Sequence, residues 1–288
     1  MTQNATTTHI IGLLTNVALA ALKLVIGFIA ASEALTADGF NSAGDILATA
    51  IGFAGYLYAR KPADDDHHYG HGNAESVAGL VIGAMLLATG TFIFLHGVIA
   101  VVEGRPEPPG ELALYAALIT MVVKEALYRY TIRVGRKFNS PSLLATARDH
   151  RADVVLSLTV AAGIFFARAG APILDPIAAG AVGIYVAWLA FDPIKTNFAT
   201  LMDQAPPGIR DAVHEVALRD PDVLAIEQIR VHPLGSYYVV DFEIRVEGSL
   251  TVLVSHEIAH RVANAVQASV EHVQSVNVHV NPAEGDAP

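Results

Sequence analysis

The sequence contains no cysteine. Disulfide scaffolds, thiolate zinc sites, dithiol redox pairs and cysteine nucleophiles are excluded at the outset. Charge is also scarce. Asp, Glu, Lys and Arg make up 16% of the 288 residues, against about 25% in soluble domains. Aromatic residues reach only 7%, with a single tryptophan. The shortage is sharpest among the basic residues, where 18 Lys and Arg stand against 28 Asp and Glu for a net charge of −10. No basic surface is left for a phosphate backbone, which excludes a nucleic-acid partner. With 53% apolar residues, a disordered chain and an ordinary cytosolic enzyme are excluded as well.

What the sequence has instead is long apolar runs. A helix rises about 1.5 Å per residue, so about 20 apolar residues cross a bilayer core. Six segments approach that length: Ile10–Ala31, Ala34–Tyr58, Val77–Val102, Leu112–Tyr130, Leu143–Ala167 and Pro176–Phe191. The first is too long for a signal-peptide core and lacks a basic leader, so no cleavable signal is expected. Six spans place both chain ends on one side. Arg60, Lys61, Arg129, Arg133, Arg136, Lys137 and Arg148 follow spans two and four, whereas only Arg105 and Arg168 follow the odd spans. The positive-inside rule makes the first set, and with it both termini, cytoplasmic. That points to the inner membrane of a bacterium.

Nearly all the acid excess lies beyond Met202, ahead of the loop-like Ala205, Pro206, Pro207 and Gly208. Two domains are expected, residues 1–203 spanning the lipid bilayer and residues 204–288 forming a small cytoplasmic α+β domain. In the tail, Pro207–Arg219 reads as a helix, Ala225–Val231 and Tyr237–Val246 alternate as strands, Val252–Val270 is helical and Val273–Val280 alternates again.

Charges at membrane depth are costly, about 2.5–3.5 kcal/mol each on insertion scales, and point to function. Asn41 and Asp45 are four residues apart in span two, and Asp149 and Asp153 are four apart in span five. Each pair shares one helix face. Asp45 lies about 16 Å into its span. Packed antiparallel, the two pairs can meet near the midplane as a cage of one amide oxygen and three carboxylates for a divalent cation. Hard oxygen donors suit Mn²⁺, Mg²⁺ or Ca²⁺ better than Zn²⁺. His150, three residues before Asp153, is an alternative donor to Asp149. The competing reading pairs these acids with Arg148, Arg151 or Lys23 as structural ion pairs.

The turn after span two carries Asp64, His67 and His71 in D-x-x-H-x-x-x-H spacing, a mixed nitrogen and oxygen metal site; the alternative is a solvated acidic turn. Lys23, His96, Lys124 and Glu125 read as structural. Asp38 faces either an outer water path or a helix cap. Gly52, Gly55, Gly79 and Gly83 suit close helix packing. His256, Glu257 and His260 match H-E-x-x-H, the zinc-protease signature, but no cleft-forming second lobe accompanies them.

These residues together resemble the cation diffusion facilitator family of six-span metal/proton antiporters, specifically its manganese-exporting branch. The resemblance runs through Ala37–Asp45, the turn Pro62–Glu75, Lys124–Arg136, Asn139–Asp153 and the tail. It implies a homodimer, a transport site at Asn41, Asp45, Asp149 and Asp153, a second metal site at Asp64, His67 and His71, and a ferredoxin-like, metallochaperone-like tail. Zinc-transporting relatives commonly have His at the position of Asp149. In the tail, His256 and His279 match binuclear-site positions of those relatives. Glu227, Glu243 and Asn281 replace His, His and Asp, so a tail site built on His256, His279 and Glu243 has altered donors. Asn73 stands where those relatives place a Lys that pairs with the Asp at the end of span six, here Asp203. The implied activity is export of a divalent ion, Mn²⁺ or alternatively Zn²⁺ or Fe²⁺, in exchange for protons, with no enzymatic activity and no cofactor beyond the cargo.

Overall fold

The computed structural model describes residues 2–104, 107–137 and 141–283. Arg105 and Asn139 lie outside the described residues. Six long helices form where apolar runs were expected: α1 (Thr2–Ile29), α2 (Glu33–Ala59), α3 (Ala74–Val102), α4 (Glu111–Lys137), α5 (Pro141–Arg168) and α6 (Leu174–Leu189). Four stretches are long and apolar enough to cross a membrane by themselves: Ile10–Ile29, Ala74–Val102, Thr146–Arg168 and Leu174–Leu201. Helices α2 and α4, 27 residues each, are also long enough, at about 40 Å. Polar residues dilute them, and those residues turn inward: Asp38, Asn41 and Ser42 on α2 and Thr120, Lys124 and Thr131 on α4 are all buried.

The sixth apolar run extends beyond Phe191. After Ala190, α7 (Phe191–Leu201) continues it. Pro193 has no N–H to give to the Leu189 carbonyl, which accounts for the break between the two helices.

The chain forms two compact units. The first comprises Met1–Ile51 and Ile82–Asp192. Its core is built from small and β-branched residues, among them Ala34, Ala37, Ala113, Ala117, Val160, Ala161, Ala178 and Val182. Small residues let helix backbones approach closely where no hydrophobic effect drives association. A Cβ added at Gly90 would sit 2.4 Å from the Ala187 nitrogen, and one at Gly183 would sit 2.5 Å from the Phe94 nitrogen, so α3 and α6 meet backbone to backbone. The large side chains Phe28, Phe92, Leu95, Val102 and Trp188 point outward, the arrangement expected of a surface solvated by lipid. Asp175 of α6 accepts from Ser32 Oγ at 2.7 Å and from the Glu33 backbone N–H at 2.6 Å. Its carboxylate thereby covers the positive N-terminus of α2.

The second unit comprises Gly52–Val81 and Pro193–Pro288. Gly55 lets α2 and α3 touch, since a Cβ there would lie 2.4 Å from the Ala78 Cβ. The tail adds α8 (Ile209–Ala217), β1 (Ala225–Leu234), β2 (Tyr237–Val246), α9 (Val252–Ser269) and β3 (Val273–Pro282). The sheet order is β1-β2-β3, with β1 antiparallel and β3 parallel to β2. The parallel pair requires a crossover, and α9 supplies it. Ile258, Val262 and Val266 of α9 bury themselves with Val240, Phe242 and Ile244 of β2. Thr251 caps α9 by accepting from the Val254 N–H. The tail is the small α/β domain with a leading helix that its periodicities specify.

Candidate metal sites

In the first unit, Asn41 and Asp45 of α2 and Asp149 and Asp153 of α5 line one cavity of about 430 Å³. The i,i+4 spacing on each helix places each pair on the cavity face. Asn16, His150, Tyr185 and four threonines, Thr8, Thr49, Thr131 and Thr146, also line it. Asn41 is buried, Asp153 is half-buried, and Asp45 and Asp149 are open to the cavity. His150 is only 2% exposed, and its Nε2 has no hydrogen-bond partner among the described residues. It faces Gly12, where an added Cβ would stand 3.8 Å from that nitrogen. The three carboxylates share a cavity without closing on one point. Among the described residues, only the turn cluster discussed below brings three ligand atoms within 4.8 Å of one another.

Two buried lysines divide the acids. Lys124 Nζ donates to Asp153 Oδ2 at 2.6 Å and to Asn16 Oδ1 at 2.9 Å. Lys23 Nζ pairs with Asp38 Oδ2 at 2.8 Å and donates to Ser42 Oγ at 3.0 Å. Arg151 turns instead to Glu125, at 2.6 Å. Ion pairing of the cavity acids therefore runs through Lys124, and Asp38 is neither a cap nor water-facing. The contact of Lys124 with Asp153 escaped sequence reasoning. The available signal was that Lys124 has no acid three or four residues away on α4, so an intramembrane ammonium had to find its partner on another helix. His96 pairs with Glu33 at 3.0 Å.

In the second unit the turn cluster is assembled. Asp64 Oδ1 lies 3.0 Å from His67 Nδ1, and Asp64 Oδ2 lies 3.4 Å from His71 Nε2. The rings of His67 and His71 have centroids 4.3 Å apart. Asp64 is fixed by its own turn, accepting from the N–H groups of Asp66 and His67, and those bonds with the His67 ring hold its carboxyl below the usual range. His71 is buried, and its Nδ1 lies 3.2 Å from the Pro62 carbonyl. A carbonyl only accepts, so Nδ1 donates to Pro62, which leaves Nε2 as the ring nitrogen on the Asp64 side that a metal would use. Two imidazole nitrogens and a carboxylate at this separation suit a tetrahedral divalent ion that completes its shell with water.

The tail residues are distributed differently. Glu227 and Glu243 are register partners between β1 and β2, and Glu243 and His279 between β2 and β3. They form a row on the sheet face opposite the side chains that pack on α9. Glu243 accepts from Asn281 at 2.8 Å, and Glu227 pairs with Arg245 at 2.9 Å. His256 stands on α9, on the other side of the sheet, with its Nε2 3.0 Å from that of His260. The structure does not bring His256 together with Glu243 and His279 within one chain. No third His, Asp or Glu ligand atom closes on His256 and His260 among the described residues. Asp203 pairs with His232.

Residues 9–202 match the family profile described as the cation efflux transmembrane domain. Residues 205–283 match that of the cation efflux protein cytoplasmic domain. The chain belongs to the cation efflux family. It is therefore a multi-pass membrane protein of a transporter family, not an enzyme family, and its activity is divalent metal efflux. The manganese efflux system protein MneP of Bacillus subtilis (strain 168) is 33% identical, covering 95% of this chain and 94% of its own. MneS of the same organism, also titled a manganese efflux system protein, is 30% identical over 92% of this chain and 91% of its own. The magnetosome protein MamB of Paramagnetospirillum magneticum (strain ATCC 700264 / AMB-1) is 31% identical over 92% of this chain and 90% of its own. A solved nickel form of the MamM CTD is 26% identical, covering 27% of this chain and 100% of its own, with a TM-score of 0.27.

Proposed function

We propose that this cation efflux protein exports Mn²⁺ from the cytoplasm across the inner membrane in exchange for protons, as a homodimer with both termini cytoplasmic. The observation that carries the reading is the cavity shared by Asn41, Asp45, Asp149 and Asp153. Its donors are an amide and three carboxylates, hard oxygen ligands matched to Mn²⁺. Carboxylates gathered in a low-dielectric cavity need compensating positive charge, and either a divalent ion or protons can supply it. One site that accepts either in turn couples the two flows by alternating access. The manganese efflux titles of MneP and MneS, alike over nearly the whole chain, support the choice of metal. In this reading Asp64, His67 and His71 form a regulatory site that reports cytoplasmic metal. The tail, with Glu243, His256 and His279 as its candidate donors, supports the dimer.

The test is Mn²⁺ uptake into proteoliposomes with and without an imposed pH gradient. The purified protein should move Mn²⁺ faster when protons can flow the opposite way, and Asp45→Ala or Asp153→Ala should abolish the flux. Normal transport by either variant would show that the cavity is not the transport site. Indifference to the gradient would remove proton exchange while leaving efflux intact.

A further inference from the structure

We propose that Lys124 is a tethered counter-cation of the transport cavity: it holds Asp153 while the cavity is empty and moves onto Asn16 when a divalent ion arrives. This rests on the cavity being the transport site. The Lys124 ammonium is buried, 3% exposed, with its Nζ between two acceptors, Asp153 Oδ2 at 2.6 Å and Asn16 Oδ1 at 2.9 Å. Both acceptors line the cavity. One belongs to the cargo's proposed ligands and the other does not, so a small swing releases a ligand without leaving the ammonium unsolvated. Asp45 and Asp149 face the same cavity with no ion pair to a described residue. They provide the first attraction for the ion, and Asp153 is the ligand it must win.

Charge arithmetic supports the assignment. Three carboxylates, one ammonium and one divalent ion sum to zero, so a loaded cavity that keeps Lys124 carries no net charge across the lipid. Without Lys124 the same cage keeps an uncompensated negative charge when loaded. Lys124 thus lowers the affinity for cargo and assists its release. It is a positioning residue that acts on the ion through Asp153.

The experiment measures initial rates of Mn²⁺ transport in proteoliposomes as a function of Mn²⁺ concentration. For Lys124→Met, the KM should fall about tenfold, the worth of one charge-assisted hydrogen bond no longer competing for Asp153, and kcat should fall with it because release slows. Lys124→Arg, which keeps the charge, should stay within about twofold of the wild-type KM. Asn16→Leu removes the alternative acceptor and should raise the KM. A normally eluting Lys124→Met protein with an unchanged or higher KM overturns the proposal. If Lys124→Met does not fold, Asn16→Leu decides alone, and an unchanged or lower KM overturns it. Asp45→Ala is the control for the cavity: if that variant transports normally, the transport reading has failed rather than the role of Lys124.

Discussion

The Lys23–Asp38 pair allows the sharpest test of the bundle's energetics. Its side chains are 1% and 2% exposed and lie 2.8 Å apart. Ser42 Oγ takes a second bond from Lys23 at 3.0 Å, and Ser157 Oγ donates to Asp38 at 3.4 Å. The network joins α1, α2 and α5. Replacing Lys23 by Met keeps the length of the side chain and removes its charge. Among the described residues, Asp38 is then a buried carboxylate left with the long bond from Ser157. Breaking a buried pair in this way costs about 3–5 kcal/mol, because the remaining charge is left uncompensated. Removing both charges avoids that cost, since the pair's mutual attraction is largely offset by desolvation. The double variant Lys23→Met/Asp38→Asn should therefore lie within about 1 kcal/mol of the wild type. Reversible unfolding in mixed detergent micelles, followed by circular dichroism on the wild type, both single variants and the double, gives the coupling energy of the cycle. A Lys23→Met loss below about 1 kcal/mol, or a double variant as unstable as the sum of the singles, would refute the view that these charges compensate each other.

Three further outcomes follow from the same geometry. Asp149→His places a nitrogen donor on the cavity wall and should shift competition between Zn²⁺ and Mn²⁺ toward Zn²⁺ by about tenfold in a transport assay; unchanged selectivity would discredit the role of hard ligands. Asp64→Asn should weaken Zn²⁺ binding at the turn, measured calorimetrically at neutral pH: the Asp64 carboxyl is held below its usual range, chiefly by the His67 side chain, so the change removes a charged donor; unchanged affinity would show that Asp64 is not a ligand. Arg261 grips Asp220 at 2.5 and 2.8 Å and Asp222 at 2.6 Å, which holds the Asp220 carboxyl low and the guanidinium high. A depressed carboxyl contributes stability that is present above its unfolded value of about 3.9 and lost as the pH falls through the folded one. Thermal melts of the tail should stay level from neutral pH to about pH 5 and drop below about pH 4, and Arg261→Lys should lower the melting temperature at neutral pH with the acid drop reduced.

The spans, the tail elements and the grouping of chemistry were legible because each depends on a period. Strand and helix in the tail differ in whether their apolar residues recur every two or every three to four positions, and the observed β1, β2, α9 and β3 begin where those patterns begin. The turn cluster was legible because Asp64, His67 and His71 lie within eight consecutive residues and local backbone bonds fold them together. The sixth run was bounded at Phe191, whereas α7 continues it to Leu201, a proline in the first turn being compatible with helix.

Pairing between distant elements has no period, and that is where the reading stopped. Spacing shows that Asp149 and Asp153 share a face, but not that one of them meets an ammonium from α4. The two lysines expected to be structural each hold an acid on a neighbouring helix. Lys23 neutralises Asp38 and removes it from the candidates for cargo. Lys124 engages Asp153 and, in the proposed transport site, makes that ligand conditional. Asp45 and Asp149 are then the carboxylates left facing the cavity without an ion-pair partner among the described residues. Two free acids match the charge of one divalent ion, whereas three would overcompensate it. If the cavity is the transport site, as proposed, the lysines, which no metal would touch, are what match its charge to a doubly charged cargo.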